Sequence, residues 1–155
     1  MATATPPATE ECTCFAVRSA ARHVTQLYDQ FLAPTGLRVT QFSILAKLKR
    51  TGPLAINALA DQMVMDRTTL GRAVQPLERE GLIRIEPAPS DRRAKELHLT
   101  KAGEKRLQAG HRAWAEAQAR FEAGFGARRT AELRALLRAV VATPFTPTAQ
   151  VARRR

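Results

Sequence analysis

The chain has 155 residues, 45% hydrophobic and 5% aromatic, with 25 Lys and Arg against 14 Asp and Glu, a formal net charge of +11. That length suits a single domain able to bury a core, and few aromatics beside abundant Ala and Leu favour a mainly helical protein. No apolar run is long enough to span a membrane, and Met1–Glu10 lacks the basic and apolar regions of a signal peptide, so a cytoplasmic location is expected.

Residues 1–10 and the basic tail 144–155 are expected to be disordered on their Pro, Thr and charge content, leaving one domain over 11–143. A first helix is expected over about 11–33, where Val17, Val24, Leu27, Tyr28 and Phe31 recur at helical spacing. Pro34-Thr-Gly36 ends it. Thr40 is a candidate N-cap for a second helix with Phe42, Leu45 and Leu48 on its inner stripe. Thr51-Gly-Pro53 breaks the chain, and a short third helix is expected over Asn57–Gln62.

The fourth helix begins after Asp66, a good N-cap, and ends at Gly81, a good residue for the left-handed position that closes a helix. With Thr68 at zero and about 100° per residue, Arg72, Gln75 and Arg79 fall at roughly 40°, 340° and 20°. Leu70, Val74 and Leu77 fall at roughly 200°, 240° and 180° on the opposite face. Pro76 removes a backbone bond in the third turn and should kink the helix, yet both faces stay in phase across it. Leu82–Glu86 and Ala94–Leu99 alternate as half-buried strands, joined by a long polar tip from Pro87 to Arg93. Thr100 caps a fifth helix of about 101–124 containing Leu107 and Trp114, and a sixth is expected over about 130–142.

Net charge alone is weak evidence for a polyanionic partner, because of where it lies. Lys and Arg outnumber Asp and Glu by six to three over residues 1–60, ten to eight over 61–106 and nine to three over 107–155. The excess is therefore C-terminal, and particular arginines must carry the argument. Thr68, Thr69, Arg72, Gln75 and Arg79 are side chains that bond base edges and phosphates, although a polar helix face is ordinarily just solvated. Helix, short turn, helix, then a basic hairpin is an arrangement that can occupy adjacent grooves of one duplex. Asp91 beside Arg92 and Arg93 can fix a guanidinium or the loop backbone, and an arginine held at a hairpin tip fits the minor groove. Lys95 is a weaker candidate, lying on the following strand without the planar guanidinium.

Phe15, Arg18, Arg38, Phe42 and Trp114 offer aromatic walls and cations suited to a small aromatic acid, against a plain reading as core and surface. Cys12 and Cys14 are too close to staple the fold and make a poor metal site. His23, His98 and His111 lie on three different elements with no triad partner, and no Gly-rich phosphate loop is present. No metal, cofactor or catalytic role is expected.

Asp91-x-Arg93 followed by Leu99-Thr100-x-x-Gly103, and preceded by Leu77-Glu78-x-x-Gly81-Leu82-Ile83, resembles the multiple-antibiotic-resistance regulator (MarR) family over about residues 12–142. The resemblance implies a mainly α, winged helix-turn-helix fold of six helices, with reader and wing at about 40–100. It also implies a homodimer built on helices at about 11–33 and 101–142. In proteins of this kind the fourth helix reads the major groove and the Asp-x-Arg arginine enters the minor groove. Small aromatic ligands often bind between the dimerising and reading parts. The expected function is therefore a dimeric repressor of a pseudo-palindromic operator on double-stranded DNA, released by a small aromatic carboxylic acid.

Cys14-Phe15, Arg22, Thr25 and Tyr28 also resemble the organic-hydroperoxide-sensing branch of the same family. That branch implies Cys14 as a redox sensor, although Arg18 and Val39 stand where its other tyrosines are expected. A third alternative is a winged helix used for protein–protein contact.

Overall fold

The computed structural model describes residues 9–145. A turn at Thr9–Glu11, closed by the Cys12 amide donating to the Thr9 carbonyl at 3.2 Å, precedes the first helix. The remainder of the segment 1–10, and the tail beyond 145, lie outside the described residues. Six helices follow: α1 (Thr13–Leu32), α2 (Val39–Thr51), α3 (Ile56–Met63), α4 (Arg67–Arg79), α5 (Lys101–Phe125) and α6 (Ala127–Ala142). Strands β1 (Leu54–Ala55), β2 (Ile83–Pro87) and β3 (Lys95–Leu99) form one antiparallel sheet in the order β1-β3-β2. No helix among the described residues is long and apolar enough to cross a membrane. The chain divides into two compact units after Ala117, within α5.

The first unit holds the core. Leu70, Val74 and Leu77 of α4 are buried with Leu45 and Leu48 of α2, Leu59 of α3, Leu97 of β3 and Leu107 of α5. Each such side chain contributes about 1.5–3 kcal/mol. α4 runs unbroken through Pro76, because Val74 and Leu77 are anchored in that core on either side of it. The hairpin register pairs Ile83 with Leu99 and Ile85 with Leu97, which puts the apolar residues on one face. Arg84, Glu86, Glu96 and His98 share the other.

Three boundaries differ from the sequence reading. α2 starts at Val39 with Arg38, not Thr40, as its cap residue. Arg38 has no side-chain acceptor, so oxygens arrive from elsewhere: Asp29 Oδ1 accepts the Val39 amide at 2.7 Å and Gln41 Oε1 accepts the Arg38 amide at 2.9 Å. β1, not expected from the sequence, is only two residues long, too short for an alternating pattern, and it exists because Leu54 finds Leu97 across the sheet. α6 begins three residues early, at Ala127, after Gly126 turns the chain at φ 97°.

Two tight turns bracket α4. α4 ends with the Leu82 amide donating to the Leu77 carbonyl and the Gly81 amide to the Glu78 carbonyl, both at 2.9 Å, with Gly81 at φ 69°. The same pattern closes α3: Met65 donates to Ala60 at 2.9 Å and Val64 to Asp61 at 3.1 Å. There the left-handed position, φ 53°, is filled by a β-branched valine that is 70% exposed. Such a residue is strained in that conformation.

The second unit comprises the end of α5 and α6. Phe121 packs on Phe125 with ring centroids 5.5 Å apart, and the Arg129 guanidinium lies 4.3 Å from the Phe125 centroid. Arg134 pairs with Glu122 at 3.4 Å. Leu136, Leu137, Val140 and Val141 of α6 are exposed.

Two substitutions test this packing in opposite directions. A Cβ at Gly103 would overlap the Leu82 carbonyl oxygen and meet Leu99 Cδ1 at 2.7 Å, so Gly103→Ala should destabilise by about 1–3 kcal/mol. Val64→Gly relieves strain at an exposed site and should stabilise by up to about 1 kcal/mol, after the added freedom of the unfolded chain. Urea denaturation at unchanged m-value reads both; a gain from the first or a loss from the second contradicts the geometry.

Candidate functional site

α3, the Val64 turn and α4 form a helix-turn-helix, and the β2–β3 hairpin follows directly. Asp66 starts α4 by accepting the Thr69 amide on Oδ1 at 2.8 Å and the Thr69 hydroxyl on Oδ2 at 2.6 Å. These bonds, the hydroxyl foremost and then the amide, hold the Asp66 carboxyl below its ordinary range despite slight opposition from desolvation. Thr68, Arg72, Gln75 and Arg79 are exposed on the face away from the core, as the angular count requires. Thr69 is exposed too, but its one hydroxyl proton is held by Asp66, which leaves it only an acceptor role toward a partner.

The hairpin tip is fastened by backbone. Ala88 donates to Ala94 at 2.8 Å, Ala94 to Asp91 at 3.0 Å and Asp91 to Ala88 at 3.3 Å. The Asp91 side chain accepts the Arg93 amide at 2.9 Å. Of the two roles open to Asp91, it therefore holds the loop backbone, while Arg92 and Arg93 remain exposed.

Four Lys and Arg residues of the first unit are ion-paired, whereas six of the seven on α4 and the hairpin are not. Arg38 pairs with Asp29 (3.4 Å), Lys49 with Glu104 (2.6 Å), Arg84 with Glu86 (3.4 Å) and Arg106 with Glu80 (3.3 Å). Among the described residues, Arg67, Arg72, Arg79, Arg92, Arg93 and Lys95 have no carboxylate within salt-bridge distance. All six belong to α4 or the hairpin. Arg67 lies outside the stripe legible in the sequence, because one residue before Thr68 it falls about 100° away; its position as the first helical residue is the signal that marks it.

The residues considered for a ligand do not converge as a set. Phe42 and Trp114 stack with centroids 6.3 Å apart at 15°, and His111 meets Phe42 edge-on at 5.4 Å. They line a depression of about 300 Å³ with Ser43, Ala46, Lys47 and Arg50. Phe15 and Arg18 are exposed on α1 and do not line it, and Arg38 is committed to Asp29. The cations at this depression are Lys47 and Arg50, five and eight residues after Phe42 on α2. Cys12 and Cys14 are free, exposed thiols at the start of α1. Tyr28 is 14 residues further along the same helix, about 21 Å away at 1.5 Å per residue, and does not reach Cys14 within one chain.

A helix-turn-helix followed at once by a hairpin defines a winged-helix DNA-binding protein. Residues 37–95 match the MarR family. The chain is 35% identical to the Mycobacterium tuberculosis transcriptional regulator MosR, over 88% of this chain and 100% of that one, with a TM-score of 0.74. MosR in complex with DNA gives 36% identity, coverage of 85% and 98%, and a TM-score of 0.73. Bordetella bronchiseptica BpsR, whose DNA binding is regulated by 6-hydroxynicotinic acid, shares the fold at a TM-score of 0.79 and 18% identity, over 90% of this chain and 100% of that one. No curated protein matches the sequence. The chain belongs to the MarR family of transcriptional regulators.

The Asp66 cap carries its own test. Its lowered folded-state pKa means the cap's stabilisation is present above the unfolded aspartate value and is lost as pH falls through the folded one. Asp66→Ala should therefore lower the urea midpoint at neutral pH, and the gap from wild type should close as pH is taken down through the carboxylate range. A gap independent of pH would show that the ionised carboxylate is not the capping species.

Proposed function

We propose that the protein is a dimeric repressor of a pseudo-palindromic operator on double-stranded DNA. Thr68, Arg72, Gln75 and Arg79 of α4, with Thr69 as an acceptor, read the major groove, and Arg93 enters the minor groove beside Arg92. The observation that carries this reading is that six of the seven Lys and Arg residues of α4 and the hairpin are exposed and have no carboxylate partner among the described residues, Arg84 being the exception. An Arg or Gln on that face offers the planar donors that distinguish base edges.

Residues 40–100 serve as reader and wing, and 11–33 with 101–142 as the dimerising part. Exposed Phe15 and Val17 on α1, and Leu136, Leu137, Val140 and Val141 on α6, support burial of these faces against a second copy. Two reading helices then sit about one DNA turn apart.

The releasing signal is a small aromatic acid in the Phe42–Trp114 depression. Its ring lies against the two aromatics and its carboxylate meets Lys47 or Arg50. BpsR responds to an acid of that class, but the two chains are distant, and the reading rests on the lining of this depression. Release requires the acid to bind the DNA-free shape more tightly than the DNA-bound one. A second reading, favoured by the exposure of the Cys14 thiol, makes oxidation at Cys14 the signal.

Three measurements test these roles. Arg93→Ala should weaken operator binding by about 1–3 kcal/mol in a mobility-shift titration, while light scattering still reports a dimer. Arg72→Ala and Gln75→Ala should change the rank order of operator mismatches; an unchanged order removes α4 from base reading. Binding that ignores ionic strength would favour a protein partner over DNA. For the signal, an aromatic acid should release wild type and Cys14→Ser alike. Its neutral amide should be weaker by roughly 1.5–3 kcal/mol, the worth of a hydrogen bond to a charged group. Release by peroxide alone, abolished in Cys14→Ser, would select the thiol reading instead.

A further inference from the structure

A second depression, of about 200 Å³, lies where the start of α3, the start of α4 and the hairpin meet; Asn57, Arg67, Arg93 and Lys95 supply its polar lining. Three of those four are cations from two segments, residue 67 and residues 93–95, which only folding brings together. No acid lines the depression, and none of the three cations has a carboxylate partner among the described residues. The larger groove holding Lys49, Lys101 and Lys105 differs, because Glu104 lies within it, 2.6 Å from Lys49. Gathering like charges in a recess raises the energy of the empty state, and an anion seated there offsets it.

We propose that this recess seats one phosphate of the DNA backbone, held jointly by Arg67 and Lys95 with an amide donor from Asn57. The proposal rests on the DNA-reading function above and assigns it contacts outside the reading stripe. A base edge lies at the floor of a groove and does not enter a recess in the protein surface, whereas a backbone phosphate stands at the groove's border. Arg67 is the first residue of α4, at the end of the reading helix beside the hairpin recess. The start of α3 adds amides that favour an anion. One phosphate gripped from α4 and from β3 ties the reading helix to the wing. It thereby sets the position from which Arg93, on the same rim, leaves for the minor groove.

Salt dependence tests the seat, because each phosphate neutralised contributes about 0.9 to the slope of log K against log salt. The probe is a duplex that wild type selects from a random pool, with an unrelated duplex alongside. Two cations sharing one phosphate predict that Arg67→Gln/Lys95→Gln loses about 0.9 of slope on both duplexes. The rank order of operator mismatches should not change, and thermal melts should match wild type. A loss of about 1.8 would mean two separate phosphates, and no loss would mean none; either result overturns the seat while leaving wild-type DNA binding intact. Absence of salt-dependent binding by wild type itself overturns the DNA reading as well. A neutral methylphosphonate walked along the selected duplex should weaken wild type at one position per half-site where the double variant is insensitive. Replacing chloride by inorganic phosphate at constant ionic strength should weaken DNA binding by wild type more than by the double variant, because the anion competes for the same seat. Phosphate that raises the melting temperature of wild type but not of the double variant, without competing with DNA, would assign the recess to a free anion and overturn the DNA assignment.

Discussion

The winged helix depends on a small junction where α4, β2, β3 and α5 meet. Thr100 donates its hydroxyl to the Gly81 carbonyl at 2.7 Å and its amide to the Leu82 carbonyl at 3.1 Å, and its hydroxyl oxygen accepts the Gly103 amide at 3.0 Å. Thus one side chain closes the turn after α4, pins the end of β3 and caps α5. Gly103 has no side chain because the Leu82 carbonyl occupies the space a Cβ would need. α4 and the hairpin that follows it are fixed to each other by this junction, so the orientation of the wing is set by the hydrogen bonds that Thr100 makes to the backbone and not by flexible surface contacts.

Around that frame, the sign of the surface is arranged by pairing rather than by totals. The chain's excess of positive charge is greatest beyond residue 107, yet six of the seven Lys and Arg residues of α4 and the hairpin have no carboxylate partner among the described residues. Arg84 illustrates the sorting: one register position puts it on the outer face of the wing beside Glu86, where it is neutralised at 3.4 Å. Arg93 and Lys95, at the other end of the same hairpin, have no such neighbour. A paired arginine must break its pair before it can grip a phosphate, whereas an unpaired one need only shed water and counterions.

Pairing also sorts the cations near the aromatic depression. A cation matters to a carboxylate ligand only if it is free and adjacent to the wall the ring will use. Arg38 fails the first condition, being held by Asp29 where that residue also caps α2. Lys47 and Arg50 meet both, because α2 presents them beside Phe42 with Trp114 across from it.

Much was legible in the sequence because it is local. Helical periodicity, the Asp66 cap, the Gly81 stop and strand alternation are properties of a few consecutive residues, and they gave all six helices, both hairpin strands and the outward stripe of α4. The resemblance carried by Asp91-x-Arg93 and Leu99-Thr100-x-x-Gly103 named the family for the same reason: each motif is a turn or cap whose chemistry is written in adjacent positions. What required the tertiary structure was anything that depends on distance between remote segments. The two-residue β1 exists only through Leu97, α2 is capped by a carboxylate ten residues away, and Arg38 is paired while Arg67 is not. The recess lined by Asn57, Arg67 and Lys95 has no sequence signature, because side-chain proximity across nearly forty residues is decided by packing of the core beneath, not by spacing along the chain.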